Sequence, residues 1–481
     1  MLDLRRWQRS STPLLLTAIV LTSLAVTTAR SLITPLYSSG DEMAHADYAY
    51  QVWQGRLPIF EDGLAIDPPW GTRPPVQWTA QHPPLFYLLL APIVGPLMDS
   101  GMPLAAGLAG RALNTVITAC LCVAVAWAAS ALETPTTRGR FSLVAAFLTA
   151  SSFWVMGVGS AIYNDNLGAL TITLAIGAAL HILQRDPGRH VTALWLILAI
   201  ASVAGSLTRL ASIPFILIAV GVVGLRGLLS ADRLSLRGDA ARAVAIGIAM
   251  VAASGWFYLR NVRLTGSVTG GHPEWAQENT GRSTPPVLDV ATDPVNWAKL
   301  LGVFSPQNTP EGPTLWLLLV VPAALGLLSL VTQAGAAGRR CLSPNVLYPL
   351  LLLLTATSLV LVMQFTYVSR EAGNLFPRYS LPIILITAVL VSRGLTFQKH
   401  LAPVLVAGWG LVAWISIAFW FADQSWKTST DGAPIAPQFA LPLLIAAGFF
   451  AMASLALLTL RTAAPVEAAP PTRARPAADQ G

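Results

Sequence analysis

The chain has 481 residues, of which 54% are hydrophobic and only 11% are charged, and its formal net charge is +7. A soluble domain carries about 25% charged residues, so this composition excludes a soluble globular protein, and the wealth of apolar residues excludes a disordered chain. The basic residues lie on short segments between apolar runs, which leaves no basic soluble surface for a nucleic acid. We therefore expect an all-α polytopic membrane protein.

Twelve apolar stretches are long enough to cross a bilayer as helices. A thirteenth run, Leu85–Met98, is shorter and contains Pro92 and Pro96, so we expect it to lie at the membrane interface. The twelve predicted spans are 13–36, 106–131, 141–162, 167–184, 191–207, 210–228, 242–260, 314–333, 346–368, 376–393, 401–422 and 438–460.

The distribution of lysine and arginine selects the topology. If the N-terminus is inside and 85–98 does not cross, the inner face has 18 of these residues and the outer face 12; if that run crosses, the two numbers are exchanged. The positive-inside rule therefore favours twelve spans, with both termini on the cytoplasmic side of the plasma membrane.

This topology divides the chain into seven parts. The two longest segments outside the spans are predicted to be extracytoplasmic, and the first of them contains interfacial helices and the candidate catalytic residues. In chain order the parts are a cytoplasmic N-terminus (1–12), the first transmembrane helix (13–36), the first extracytoplasmic loop (37–105), transmembrane helices 2–7 (106–260), a second extracytoplasmic loop (261–312), transmembrane helices 8–12 (313–460) and a disordered, Ala/Pro-rich cytoplasmic tail (461–481).

The first extracytoplasmic loop begins with a predicted helix that ends near Gly55 and carries Asp41, Glu42 and His45. Asp41, His45 and Tyr48 share one face of this helix because they are four and three residues apart. The two acids either cap the helix and favour its positive end, or they form a carboxylate pair near a histidine. Such a pair acts as a general base or holds a divalent cation such as Mg²⁺ or Mn²⁺.

Four further polar residues lie at the predicted outer ends of spans or helices, and each has a structural alternative. His82 precedes two prolines and either caps a helix or contributes to a site, and Asp165 sits in a tight turn where an N-cap is common. Arg209 and Arg378 either snorkel to lipid headgroups or clamp a phosphate. Apart from Arg30, the spans hold almost no ionisable residue, which counts against an ion-coupled transporter.

These residues, in this order and on one predicted side, resemble the GT-C superfamily of integral membrane glycosyltransferases. The branch that the chain resembles contains protein mannosyltransferases and lipid A aminoarabinose transferases. Gln81-His82 stands where those enzymes tend to have an acidic-basic pair. The residues that carry the resemblance are Asp41-Glu42, Gly55-Arg56-Leu57-Pro58, His82-Pro83-Pro84-Leu85, Asp165, and Arg378-Tyr379 with Pro382.

The resemblance implies a transferase that takes a sugar from a polyprenyl-phosphate carrier and passes it, with inversion, to an acceptor hydroxyl on a glycan, lipid or protein. It assigns the base to Asp41 and assisting roles to Glu42 and Asp165, and it implies a metal site at these three residues. The residues implied to bind substrate are His45, His82, Arg209, Arg378 and Tyr379. No predicted soluble segment exceeds about 70 residues, too few for a doubly wound nucleotide-sugar domain, so a donor dissolved in the bilayer suits this chain.

Two other functions remain open from the sequence. A polymerase or ligase of lipid-linked glycans is expected to use a large late outer loop, and residues 254–313 offer candidates for it. A flippase or transporter needs polar residues at the membrane centre. The candidates in the late loop are Arg260, Arg263, His272, Glu274 and Glu278.

Overall fold

The computed structural model describes residues 4–133, 141–184, 191–229, 233–306, 309–336, 344–425 and 439–463. Within these ranges the regular structure is helical, and no sheet is formed. Residues 134–140, between two of the predicted spans, and nearly all of the predicted tail lie outside the described residues. The helices are α1 (Leu4–Ile33), α2 (Gly40–Trp53), α3 (Leu85–Asp99), α4 (Pro103–Ser130), α5 (Phe141–Ala150), α6 (Phe153–Gly159), α7 (Asp165–Leu183), α8 (Thr192–Ser206), α9 (Ser212–Leu229), α10 (Arg233–Thr265), α11 (Pro273–Thr280), α12 (Val287–Thr292), α13 (Pro294–Leu301), α14 (Pro313–Leu315), which continues as a π-helical turn (Trp316–Val320) into α15 (Val321–Ala336), then α16 (Pro344–Glu371), a 3₁₀-helix (Pro377–Ile383), α17 (Ile384–Thr396), α18 (Ala402–Ser425) and α19 (Ala440–Ala463).

Ten helical segments in the described part of the chain are long and apolar enough to cross a membrane, or eleven if α5 and α6 count as one broken span. The remaining predicted span, 191–207, corresponds to α8, which has only 15 residues. At 1.5 Å per residue α8 is about 22 Å long, shorter than the roughly 30 Å of a bilayer core.

Helix α8 nevertheless returns the chain to the end of the bundle where α7 begins. Arg209, three residues past α8, forms an ion pair with Asp165, the first residue of α7. The same end carries Asp41, because Arg378 pairs with Asp41 and lines one cleft together with Arg209 and Asp165. We call this end of the bundle the site end.

Both ends of α3 are held at the site end. The backbone N–H of Leu85, its first residue, donates to the carbonyl of Leu207 over 2.9 Å. Pro103, four residues after α3, accepts a hydrogen bond from the hydroxyl of Tyr37 over 3.3 Å. This is the arrangement expected for an apolar run that does not cross the bundle.

The predicted span 141–162 is broken in the middle. Helices α5 and α6 meet at an angle of 55° across Ser151 and Ser152. Ser152 caps α6, since its hydroxyl accepts the N–H of Val155 over 3.2 Å and donates to the carbonyl of Val303 over 2.7 Å. A serine hydroxyl satisfies a helix end inside the bundle, and the break directs α6 towards Asp165.

Small residues allow the closest helix contacts. A Cβ added at Gly326 of α15 would lie 2.1 Å from the carbonyl oxygen of Leu390, and one added at Gly394 of α17 would lie 1.9 Å from that of Pro322. Only glycine lets these two backbones approach so closely, as is common where helices pack within a membrane. The pairing of α15 with α17 supports the segment that carries Arg378.

Candidate active site

A cleft of about 350 Å³ at the site end brings together residues that are far apart in the sequence. It is lined by the first turn of α7, the turn between α8 and α9, one residue of α16 and the 3₁₀-helix. Four of the predicted site residues face it: Asp165, Arg209, Arg378 and Tyr379.

Asp41 stands beside this cleft through its ion pair with Arg378. The Nη2 of Arg378 donates to Oδ2 of Asp41 over 2.6 Å, and the Asp41 side chain remains 32% exposed. The N-cap of α2 is Ser39, whose side chain accepts the N–H of Glu42. The capping role allowed for the acids from the sequence is therefore filled by Ser39, and the Asp41 carboxylate is directed to Arg378.

The Arg378 guanidinium lies among three aromatic rings. Its central carbon is 5.1 Å from the ring centre of Tyr163, 5.1 Å from that of Tyr379 and 5.7 Å from that of Phe376. These ring faces attract the cation and hold it at the cleft. Its buried Nε has no hydrogen-bond partner among the described residues.

Asp165 and Arg209 form a second acid–arginine pair on the same cleft. Arg209 donates to the carboxylate of Asp165 and, over 3.0 Å, to the side-chain oxygen of Asn164. Asn164 precedes α7 without a side-chain cap, and Asp165 is the first helical residue. Asp165 is therefore not the N-cap that the sequence allows, because Asn164 holds that position. The negative charge of Asp165 still suits the positive end of α7.

Glu42 is placed differently from Asp41. Its side chain is 2% exposed, and both carboxylate oxygens accept from the guanidinium of Arg111, over 2.6 and 2.7 Å. The backbone N–H groups of Tyr37 and Ile162 donate to it over 3.0 and 3.2 Å. With four donors on two buried oxygens, Glu42 joins the segment before α2 to the turn that precedes α7.

Arg111 completes this buried pair and has all five of its N–H groups occupied. Besides Glu42, it donates to the carbonyls of Ser31, Thr34 and Pro35, at the end of α1. Sequence reasoning misses Arg111, which lies within the second predicted span. A lone arginine in an apolar span was the available signal, because such a residue needs a partner.

His45 and His82 stack in parallel beside the pair formed by Asp41 and Arg378. Their ring centres are 5.9 Å apart with 2° between the planes, and Nδ1 of His45 is 2.9 Å from the hydroxyl of Tyr87. Burial, followed by the nearby charge of Arg209, lowers the pKa of both histidines well below the usual value. Both rings are therefore neutral at neutral pH, and His82 reaches an anion only as a hydrogen-bonding group.

The acidic residues do not form a ready metal site. Asp41, Glu42 and Asp165 each have an arginine as partner, and a divalent cation would have to displace it. In the ranges that the structure describes, no three His, Cys, Asp or Glu side chains are grouped to hold a metal ion. The divalent cation therefore stays a prediction, and the three arginine-paired carboxylates do not suit it as ligands.

The candidates of the late loop are not gathered at this cleft. Arg260 donates to the carbonyl of Pro58 over 2.6 Å, and the ring of His272 stacks on Phe60 at 3.7 Å. Glu274 and Glu278 are exposed on α11. These contacts join the two segments that are predicted to be extracytoplasmic, and Arg260 and His272 line a second cleft there together with Glu61.

No family model matches the chain, and no curated protein matches its sequence. Among the solved structures that it matches is the oligosaccharyltransferase of Archaeoglobus fulgidus with a tethered acceptor peptide, at 14% identity and a TM-score of 0.48 over 93% of this chain and 55% of that one. ArnT of Cupriavidus metallidurans bound to undecaprenyl phosphate matches at 15% identity and a TM-score of 0.47 over 94% of this chain and 76% of that one. The arabinosyltransferase EmbB of Mycobacterium smegmatis matches at 11% identity and a TM-score of 0.42 over 92% of this chain and 41% of that one. All three are GT-C membrane glycosyltransferases, matched at low identity and high coverage of this chain. The chain spans about half of the length of the archaeal enzyme.

Proposed function

We propose that the protein is a membrane glycosyltransferase that moves a sugar from a polyprenyl-phosphate carrier to an acceptor hydroxyl at the extracytoplasmic face. One observation carries the proposal: two acids and two arginines from four separate segments meet at one cleft, at one end of a largely apolar helix bundle. This set has a base for a hydroxyl and cations for a phosphate, which are the two groups that such a transfer needs.

The position of the cleft suits a donor that is dissolved in the bilayer. Apolar residues such as Ile172, Leu381 and Pro382 line it beside the charged groups. A prenyl chain can therefore extend along the bundle while its phosphate stays at the site end. The donor then needs no soluble nucleotide-binding domain.

In the proposed reaction, Asp41 takes the proton of the acceptor hydroxyl as its oxygen attacks the anomeric carbon. The bond between that carbon and the phosphate oxygen breaks, and the lipid phosphate leaves with the electron pair. Attack from the face opposite the leaving group inverts the anomeric carbon. The products are the glycosylated acceptor, the lipid phosphate and a proton on Asp41.

Arg378 and Arg209 bind the phosphate in this scheme and stabilise the charge that develops on it. Arg378 then exchanges its contact with Asp41 for the phosphate, which frees the carboxylate to act as the base. Asp165 holds Arg209, and the ring of Tyr379 supports Arg378. Glu42 acts through Arg111 as a positioning residue, since its oxygens already have four donors.

His45 and His82 form the wall beside the base. As neutral rings they offer hydrogen bonds to sugar or acceptor hydroxyls without adding positive charge next to Asp41. No step is assigned to a divalent cation, because each carboxylate at the site already has an arginine partner.

The test is a transfer assay with the purified protein in lipid vesicles. A polyprenyl-phosphate-sugar extract carrying labelled sugar is supplied with lipid, glycan and peptide acceptors, and the products are separated by class. We expect the label to move to an acceptor with release of lipid phosphate. Joining of lipid-linked glycans into longer chains, or movement of the donor across the bilayer without chemistry, would contradict the proposal.

A further inference from the structure

Arg30 is a charged residue inside a membrane span and lies outside the cleft described above. It belongs to the span Thr12–Ile33 and is three residues from the end of α1. This places it about 5 Å below the site end of the helix. Ionisable residues at this depth are costly unless they have a partner.

An aromatic box surrounds the Arg30 guanidinium. Its central carbon is 4.5 Å from the ring centre of Phe153 on α6 and 4.2 Å from that of Trp420 on α18. A Cβ added at Gly157 would lie only 2.9 Å from Nη2, so the guanidinium rests against the backbone of α6. The box attracts a cation through the ring faces but supplies no negative charge.

The hydrogen bonds of Arg30 are far from complete. Its one hydrogen bond to a described residue is from Nη1 to the carbonyl of Phe153, over 3.1 Å, and no described carboxylate lies within ion-pair distance. Arg111, by contrast, uses all five of its N–H groups. The Arg30 side chain is partly exposed, and its free nitrogens are not among the sealed, unsatisfied atoms.

We propose that Arg30, with Phe153 and Trp420, forms a binding site for the phosphate group of a lipid. At this depth the abundant anionic oxygens are those of lipid phosphates, and a guanidinium binds them through paired, charge-assisted hydrogen bonds. The two rings hold the guanidinium in place, and its remaining N–H groups have no partner among the described residues. The site lies between α1, α6 and α18, whereas the catalytic cleft is lined by α7, the α8–α9 turn, α16 and the 3₁₀-helix.

The proposal does not depend on the proposed sugar transfer. A membrane phospholipid and a polyprenyl phosphate present the same group, so both are tested as separate sources. The opposing possibility is that Arg30 only ties three helices together through its aromatic contacts and binds no lipid.

Native mass spectrometry of the full chain in detergent tests the site. The protein is titrated separately with dioleoylphosphatidylglycerol, undecaprenyl phosphate and inorganic phosphate. Arg30→Gln is compared with the parent, and Arg263→Gln, at an exposed arginine in the last turn of α10, is the matched control. We expect Arg30→Gln to weaken retention of one lipid molecule by tenfold or more for at least one of the two lipids, with Arg263→Gln like the parent. Whichever lipid shows the loss identifies the source.

Equal retention of both lipids by Arg30→Gln and the parent would overturn the proposal, as would a loss seen with inorganic phosphate only. If Arg30→Gln does not fold, Arg30→Lys decides. Lysine keeps the positive charge but cannot form the paired hydrogen bonds of a guanidinium, so we expect weaker retention of the same lipid. Retention by Arg30→Lys equal to that of the parent would contradict the proposal.

Discussion

Glu42→Gln is expected to lower the stability of the protein without removing a catalytic group. The substitution keeps the size of the side chain but removes its charge, and it places an NH₂ group where one carboxylate oxygen accepts hydrogen bonds. The Arg111 guanidinium is then left buried without a counter-charge, since Arg111 is 0% and Glu42 2% exposed. Breaking a buried ion pair in this way costs about 3–5 kcal/mol.

The assay is thermal unfolding in detergent, followed by tryptophan fluorescence together with gel filtration. For a chain of this size we expect a fall in Tm of about 3–10 °C. Arg111→Gln should lower the Tm by a similar amount. The double variant should lose less than the sum of the two, because the second change no longer breaks an intact pair.

The specific activity of the fraction that remains folded separates positioning from catalysis. We expect folded Glu42→Gln to keep a measurable turnover, with a loss in kcat and little change in the KM for the donor. A Glu42→Gln protein that unfolds at the parental temperature, elutes like the parent and has no activity would refute the reasoning, since Glu42 would then take part in the chemistry.

Three further predictions concern the phosphate contacts, the histidine and the topology. Arg378→Ala and Arg209→Ala should each weaken donor affinity by about 10–150-fold in a titration, with lysine replacements between alanine and the parent; parental affinity in both alanine variants would contradict the clamp. Because burial lowers the pKa of His45, folding favours its neutral form. The stability that it contributes is therefore complete above about pH 6.5 and is lost as the pH falls below that value. His45→Gln should flatten the dependence of Tm on pH below about 6.5, and an unchanged slope would count against this assignment. In a background without the native cysteines, a cysteine at position 39 (Ser39) should react with an impermeant thiol reagent on intact cells and one at position 137 (Thr137) should not, whereas the reverse pattern would overturn the orientation.

The positions of Asp41, Asp165, Arg209 and Arg378 illustrate what the sequence can predict. The apolar runs and the distribution of lysine and arginine set which loops share a side, and these four residues were expected on one side for that reason alone. In the structure, they meet through two ion pairs at the site end. The shared side follows from topology, whereas the two ion pairs depend on how the helices pack.

The partner of Glu42 was not predictable in the same way. Asp41 and Glu42 are adjacent acids at the start of one helix, and nothing local distinguishes them. They differ because successive residues point about 100° apart on a helix, which turns Glu42 to α4 and Asp41 to Arg378. That difference depends on the tertiary position of α2, which packs against α3 beside α4, and the pattern of α2 alone does not specify it.

Asp47 shows how burial changes the role of a residue that looks like a surface position. It lies on the same helix as Asp41, six residues further along, and it is fully buried. Its oxygens accept from the N–H groups of Ala65 and Ile66 and from the side chains of Gln51 and Gln77, over 2.6–2.9 Å. Asp47 therefore organises the irregular segment between α2 and α3, and replacing it is expected to disturb that segment.

The rate of sugar transfer by Asp41→Asn tests the central claim most directly. Asparagine keeps the shape of the side chain and an oxygen for Arg378 but cannot take a proton at neutral pH. Asp67→Asn is the matched control, because Asp67 lies on the same loop with a side chain that is 77% exposed and pairs only with exposed Arg73. With a polyprenyl-phosphate-sugar donor, we expect Asp41→Asn to melt like the parent and to lose about 10²–10⁴-fold in rate, while Asp67→Asn stays active. A folded Asp41→Asn protein that retains more than about a tenth of the parental turnover, far above that range, would contradict the assignment of Asp41 as the base.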